Sequence, residues 1–300
     1  MKILITGGTG FVGQHVAEHY IKAGHTVYVT GREAPVPGTE YLGRDFQQLD
    51  FDKLPTFDIL NHQAAITDPQ HADEDEIWRV NFRDAITLFQ QAAGHGVRRI
   101  VYASSAAVYG RTPGPYHEDG PFNPLTAYGY SKLALDKLAG DCLPRTIPVI
   151  GLRYSNVWGP GEGHKGKLSS QIRQIGLQMI QGKRPKLFKF GMQRRDFVHV
   201  DDVARANILA ARCVGREVFN IGQGANQSFI DIVNAWNGIL QTSLQPDFID
   251  NPFTDTYQAE TCLDISSARM IGWKPQAGFY PQLVSYKKNL TAIHGRRGNR

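Results

Sequence analysis

Lys2-Ile3-Leu4-Ile5-Thr6-Gly7-Gly8-Thr9-Gly10-Phe11-Val12-Gly13 opens the chain. Lys2 to Thr6 is a short apolar run that reads as a strand, and Gln14 to Ala23 reads as a helix. Between them Gly8, Gly10 and Gly13 satisfy a G-x-G-x-x-G spacing, and Gly7, Gly10 and Gly13 satisfy G-x-x-G-x-x-G. Such glycines let the backbone turn tightly and approach a pyrophosphate, whose charge is met by the amides and dipole of the helix N-terminus. The glycines alone are a weak signal. The strand before them and the helix after them supply the context in which a dinucleotide site is expected.

Outward from that turn, strands and helices alternate. His25 to Thr30 reads as the second strand, and its end is where such folds place an acid on the ribose hydroxyl. This chain has Gly31-Arg32 there, and a guanidinium would pair with a 2′-phosphate. NADP is therefore expected over NAD, the alternative being that Arg32 is a surface residue and Glu33 takes the ribose. Asp45, beyond a third short strand near Tyr41, is a candidate near the adenine. Phe57 to His62 reads as a fourth strand running into Gln63-Ala64-Ala65, small residues suited to a loop beside a cofactor. Asp73 to Glu76 charges the first turn of a helix that carries Asn81, a residue placed to tie a neighbouring backbone. Arg99 to Ser104 is the next strand, with Ser104-Ser105 at its carboxyl end, and Val149 to Tyr154 is the sixth. This pattern predicts an α/β fold, a doubly wound parallel sheet of Rossmann type.

Tyr128-Gly129-Tyr130-Ser131-Lys132 follows a Pro- and Gly-rich loop. On a helix, Tyr128 and Lys132 stand four apart on one face. A phenol needs nearby positive charge to take a proton at neutral pH, and Lys132 and an oxidised nicotinamide could both supply it.

From Asn156 to Gly166 the chain turns Gly-, Pro- and charge-rich, and the alternation weakens. Helices are expected over Leu168–Gln181, Phe229–Leu240, Asp264–Met270 and Tyr280–Leu290. Strands are expected at Pro185–Phe190, at Arg195–Val200 returning to the first domain, and at Val218–Ile221, with a linker from Gln245 to Thr256. The expected division is a cofactor domain of residues 1–156 plus 197–222, and a smaller C-terminal α/β substrate domain of 157–196 plus 223–300.

At 300 residues with 41% hydrophobic and 20% charged residues, the chain can bury a substantial core. Its net charge is +5, but Arg296, Arg297 and Arg300 lie in a stretch that reads as a loose tail. Discounting them leaves a nearly neutral body, which argues against nucleic-acid binding. Cys142, Cys213 and Cys262 form no metal-like set, and a reducing compartment suits them. No metal is expected, and His164 lacks companions at ligand spacing. The early strand leaves no room for a signal peptide, and no apolar run approaches the roughly 18 residues of a membrane span. A cytoplasmic protein without membrane contact is expected.

Thr6 to Gly13, Tyr102 to Gly110, Tyr128 to Lys132 and Arg153 to Pro160, in this order, resemble the extended short-chain dehydrogenase/reductase family. The likeness spans nearly the whole chain. It implies Tyr128 and Lys132 as catalytic, with Ser105 as the serine that polarises the substrate oxygen. It also implies cofactor contacts from Gly7, Gly10, Phe11, Val12, Gly13, Arg32, Asp45, Gln63, Ala64, Ala65, Asn81 and Val157, besides Tyr128 and Lys132. Within the family, Glu162-Gly163-His164-Lys165-Gly166, Pro185 to Phe188, Arg195 to Phe197 and Tyr257 to Ala259 are most similar to the ADP-glyceromanno-heptose 6-epimerases. That likeness implies Lys165 as a second catalytic base. It implies Thr67, Ser105, Asn156, Lys167, Gln174, Phe188, Arg195 and Tyr257 around a nucleotide-sugar, with Arg195 on its diphosphate. Lys167 and Gln174 stand where that pattern has Ser and His.

The expected activity is an NADP-dependent epimerisation through a transient ketone, by a homo-oligomer. Rival readings are a UDP-sugar 4-epimerase, a 4,6-dehydratase, a 4-reductase, or a non-catalytic dinucleotide-sensing or RNA-associated scaffold. Ala106-Ala107 replaces the acid pair a dehydratase carries there, which argues against elimination.

Overall fold

The computed structural model describes residues 1–68, 70–253, 255 and 257–297, the last six by backbone only. Strands β1 (Lys2–Thr6), β2 (Thr26–Thr30), β3 (Thr39–Gly43), β4 (Ile59–His62), β5 (Ile100–Ser105) and β6 (Val149–Tyr154) belong to one sheet. With β10 (Arg216–Ile221) they form seven parallel strands in the order β10-β6-β5-β4-β1-β2-β3. β6 is buried at all six positions, as expected for a parallel strand covered on both faces. Side chains alternate between those faces. Ile3 and Ile5 enter one apolar cluster with Val16, Tyr20 and Val203, while Leu4 enters another with Leu60, Phe89 and Leu135. Each such side chain stabilises the fold by about 1.5–3 kcal/mol relative to exposure.

The helices of the first cluster include α1 (Phe11–Lys22). Covering the second are α3 (Asp84–Gly94) and α4 (Ala127–Leu138), while α2 (Glu74–Trp78), joined to α3 by a π-helical turn over Arg79–Arg83, packs on α4. Strand order reverses beside β1: β4 lies on one side and β2 on the other. A crevice at the carboxyl ends of such strands is where open α/β sheets bind ligands.

The remaining chain builds smaller sheets. β7 (Asn156–Trp158), β9 (Arg194–His199) and β11 (Asn226–Ser228) form one in the order β11-β9-β7. β8 (Lys186–Phe188) pairs in parallel with β12 (Asp247–Ile249). Helices α5 (Gln171–Ile180), α7 (Phe229–Leu240) and α9 (Phe279–Arg297) pack around a third apolar cluster holding Trp158, Trp236, Leu283 and Tyr286. α6 (Val200–Ala210) crosses back to pack on α1, and α8 (Ser266–Met270) lies against β10.

β9 pairs with β7 and β11 in the smaller sheet, and α6 directly after it brings the chain back onto α1. Other expectations need correcting. Part of the supposed linker, Asp247–Ile249, is a strand, and Thr256 at its end lies outside the described residues. α5 begins only at Gln171, since Gly166 (φ 53°) breaks helical geometry and Ser170 caps the helix by accepting from the Arg173 amide. The supposed tail is helical through Arg297, while Arg300 lies outside the described residues.

Candidate active site

The turn after β1 closes through the Gly10 amide donating to Gly7 O at 3.0 Å. A Cβ on Gly13 would lie 2.1 Å from Gly7 O, and one on Gly7 2.7 Å from Ala64 N. Only glycine lets the turn, α1 and the loop after β4 meet this closely. α1 starts at Phe11 with Gly10 as its N-cap, no capping side chain and no acid in its first turn. Its first amides and positive dipole end are therefore left for an anionic ligand, and this cradle fits the pyrophosphate of a dinucleotide.

At the end of β2, Gly31 lies against Thr9, and the Thr9 hydroxyl accepts from the Glu33 amide at 3.1 Å. The Arg32 side chain is 68% exposed, its Nε 3.9 Å from Asp45. Arg32 and Asp45 thus meet at one corner, and nothing buries the guanidinium away from a ligand. Gln63 and Asn81 have their polar atoms engaged within the protein. Gln63 Nε2 donates to Asn61 and Asn207 at 2.7 and 3.0 Å, and its Oε1 accepts from the Tyr154 hydroxyl at 3.1 Å. Asn81 exchanges two hydrogen bonds with the Ile66 backbone, at 2.8 and 2.9 Å. The sequence placed Asn81 to tie a neighbouring strand, but Ile66 lies in the loop beyond β4, the loop that carries Ala64, Ala65 and Thr67.

α4 presents Tyr128 and Lys132 as the spacing predicts. Thr126 caps it by accepting from the Gly129 amide at 3.3 Å. A Cβ on Gly129 would lie 2.8 Å from Ala107 O, so this glycine lets Tyr128 approach the turn after Ser105. Burial raises the Tyr128 phenol above its ordinary value, a hydrogen bond with Ser105 lowers it, and the Asp136 carboxylate raises it. Lys132 is buried, donates to Ala103 O at 2.9 Å, and is pulled down to about 8 mainly by burial. Lys132 is not among the groups that shift Tyr128, its ammonium being directed at the Ala103 carbonyl.

Asp136 was not singled out in the sequence, although it continues the four-residue spacing from Tyr128 through Lys132. Its carboxylate accepts from Tyr102, Ser104 and Arg153 Nε at 3.1, 2.9 and 2.7 Å. It fastens α4 to β5 and β6, and so fixes the approach of Tyr128 to Ser105.

A cavity of about 750 Å³ opens beside this arrangement. Ser105 and Tyr128 line it together with Phe11, Val12 and Val157 from the expected cofactor set. Every residue expected around the sugar lines it as well: Thr67, Asn156, Lys167, Gln174, Phe188, Arg195 and Tyr257. Lys165 joins them, its ammonium 5.5 Å from the centre of the Phe11 ring. Burial lowers Lys165 below the ordinary lysine value, opposed by Glu162. His164 is exposed and bonds locally to Gly161 O at 3.1 Å.

The cavity's polar walls are held from behind. Asn156 Nδ2 donates to Asp196 O and Thr261 Oγ1 at 3.2 and 3.0 Å, and Gln174 Nε2 to Lys167 O and Ser169 O at 3.0 and 2.7 Å. Arg195 donates to Arg194 O and Ala259 O and lies 4.9 Å over the Tyr257 ring. Phe188 meets Tyr257 edge-on at 5.6 Å. The cavity wall contains Lys165, Lys167, Lys186 and Arg195 but no carboxylate among the described residues, a field suited to an anionic ligand.

Residues 3–222 match the model of the NAD dependent epimerase/dehydratase family. The chain belongs to that family. It is an enzyme of the extended short-chain dehydrogenase/reductase type, as its motifs suggested, and the family's activities depend on NAD(P). A putative UDP-glucose 4-epimerase of Methanocaldococcus jannaschii is 31% identical over 96% of this chain and 98% of its own length. The crystal structure of ADP-L-glycero-D-manno-heptose-6-epimerase from Helicobacter pylori is similar with a TM-score of 0.89 and 31% identity, over 97% of this chain and 96% of that one. MoeE5 in complex with UDP-glucose and NAD is similar with a TM-score of 0.88 and 28% identity, over 98% and 100%. Among the described residues no helix is long and apolar enough to cross a membrane, and no cluster of ligating side chains could hold a metal ion.

Proposed function

We propose that this nucleotide-sugar epimerase inverts carbon 6 of an ADP-glycero-manno-heptose-like substrate, using NADP and two separate acid/base groups. The observation that carries the reading is that Tyr128, on α4, and Lys165, on the segment after β7, line one cavity with Ser105. A bound nicotinamide dinucleotide would supply the hydride chemistry, accepting from the carbinol and giving back to the ketone with no net consumption. The rest falls to the chain. Tyr128 moves the hydroxyl proton on one face of the carbon and Lys165 on the other, and Ser105 donates to the oxygen. Lysine suits this role because burial brings an amine toward neutrality. Lys132 holds the nicotinamide ribose. Gly7, Gly10 and Gly13 admit the pyrophosphate, Arg32 meets the 2′-phosphate, and Arg195 meets the sugar's diphosphate.

The test compares Tyr128→Phe and Lys165→Met on an ADP-linked heptose. Each variant should lose epimerisation by roughly 100- to 10,000-fold, with cofactor affinity intact. Near wild-type epimerisation by Lys165→Met would make Lys165 a binding residue. The second reading, a 4-epimerase, would then lead. The Methanocaldococcus relative supports it, and a ketone that turns within the site needs only one base.

A further inference from the structure

Lys165 sits near the centre of a segment with little reason of its own to hold still. Glycines occupy positions 159, 161, 163 and 166, and three of them have positive φ: Gly159 at 145°, Gly161 at 92° and Gly166 at 53°. Glycine gives up more conformational freedom on ordering than any other residue, so this stretch needs an external anchor. Glu162 provides one that reaches both of its ends. Glu162 is 1% exposed, and its two carboxylate oxygens accept four hydrogen bonds. Oε1 takes the Gly159 amide at 3.3 Å, the Ser170 hydroxyl at 2.8 Å and the Tyr286 hydroxyl at 3.0 Å, and Oε2 takes the Ser170 amide at 2.6 Å. Gly159 precedes the segment, Ser170 ends it, and Tyr286 belongs to α9. The carboxylate thereby joins both ends of the loop and moors them to the last helix. Lys165, Lys167, Leu168, Ser169 and Ser170, all within the joined stretch, line the cavity.

We infer that Glu162 is the positioning residue for Lys165, holding the segment from 159 to 170 as a fixed wall so that the amine stands over the cavity beside Phe11. This rests on Lys165 being the second acid/base group. A buried carboxylate with four donors is a strong anchor, because hydrogen bonds to a charged acceptor are short and each contributes more than a neutral one. The consequence is catalytic because displacing a reacting group by about 1 Å can cost on the order of 100-fold in rate. An amide in its place has a single acceptor oxygen and brings a donor toward groups that are themselves donors.

The experiment measures two reactions of the holoenzyme with NADP, and their ratio cancels any loss of folded protein. One is epimerisation of an ADP-linked heptose. The other is dismutation of its 6-aldehydo analogue, in which two aldehydes and one water become one carboxylic acid and one primary alcohol, a hydride passing from the first to the second. Dismutation at the Tyr128 face does not need Lys165. Glu162→Gln should lower the kcat of epimerisation by about 100-fold while KM and dismutation stay within about threefold. Tyr286→Phe, which removes one of the four donors, should shift the ratio the same way by a smaller factor. If Glu162→Gln does not fold, Tyr286→Phe decides. An unchanged ratio in the folded variants, with Lys165→Met inactive in epimerisation, overturns the positioning role and leaves the two-base reading standing. An active Lys165→Met overturns both.

Discussion

Arg153 in β6 and Arg195 in β9 are both buried, one in the large sheet and one in the small, and the protein meets their charges in opposite ways. Arg153 Nε donates to Asp136 at 2.7 Å, and its Nη1 donates to the Tyr109 hydroxyl and to Glu118 O at 2.9 and 2.7 Å. It also lies 4.8 Å over the Phe122 ring. Arg195 donates to the backbone carbonyls of Arg194 and Ala259, lies over the rings of Tyr257 and Phe229 with no carboxylate paired to it among the described residues, and is lowered by burial below the ordinary arginine value. A buried charge that is paired serves the fold, because losing one partner strands the other. A buried charge without a carboxylate partner beside an open cavity suits a ligand's anion, the role proposed for Arg195.

That contrast can be broken. Asp136→Asn should strand Arg153 and destabilise the fold by about 3–5 kcal/mol in denaturant melts, with cofactor and sugar affinity following only through the folded fraction. A loss under 1 kcal/mol would end the structural account of this pair. Arg195→Leu should behave in reverse, weakening binding of an ADP-sugar by about 1.5–3 kcal/mol in calorimetry while denaturant stability changes by less.

Acid should separate the same two regions. His62, at the end of β4, accepts or donates at Nδ1 with Thr6 at 2.7 Å and lies between Phe46 and Phe89, and burial lowers it to about 3. Its folded value lies below the 6.5 of a free imidazole, so its contribution is present above 6.5 and lost as pH falls toward about 3. At pH 5 the loss is about 2 kcal/mol, and His62→Phe should remove it. Asp196, in β9, is raised to about 6 by burial, against three backbone amides that lower it. Its contribution is present below the 3.8 of a free carboxyl and lost as pH rises through about 6, so acidification to pH 5 restores about 1 kcal/mol there. Stability from denaturant melts of His62→Phe and Asp196→Asn between pH 5 and 8 gives the two signs. Curves that coincide with wild type would reject them.

The smallest effect lies at the rim. Arg32→Ala should weaken NADP by about 1–2 kcal/mol and NAD by much less, since a largely exposed guanidinium forms a solvent-screened contact. Equal losses for the two cofactors would remove the 2′-phosphate assignment.

How legible the molecule was depended on how local each signal is. The glycine turn and the spacing of Tyr128 and Lys132 could be read because each is complete within a few residues. Asp136 could not, since its partners Tyr102, Ser104 and Arg153 come from other strands and only pairing brings them to α4. Lys165 was visible within Glu162 to Gly166, but the meaning of Glu162 needed Ser170 and Tyr286. β7 and β11, of three residues each, are too short to show a period. β9 was seen as a strand, yet its membership of the smaller sheet depends on pairing that composition does not encode.

α1 touches more than its own cradle. Phe11 lies beneath Lys165, a Cβ on Gly161 would be 2.0 Å from Gln14 Nε2, and His15 Nε2 is 2.9 Å from Pro160 O. The first turns of α1 thus form both a wall of the glycine cradle and the floor of the segment that carries Lys165. On the proposed function, altering sugar scope through this helix would alter coenzyme retention with it, whereas the corner at Arg32 shares none of these contacts and would let coenzyme choice change separately.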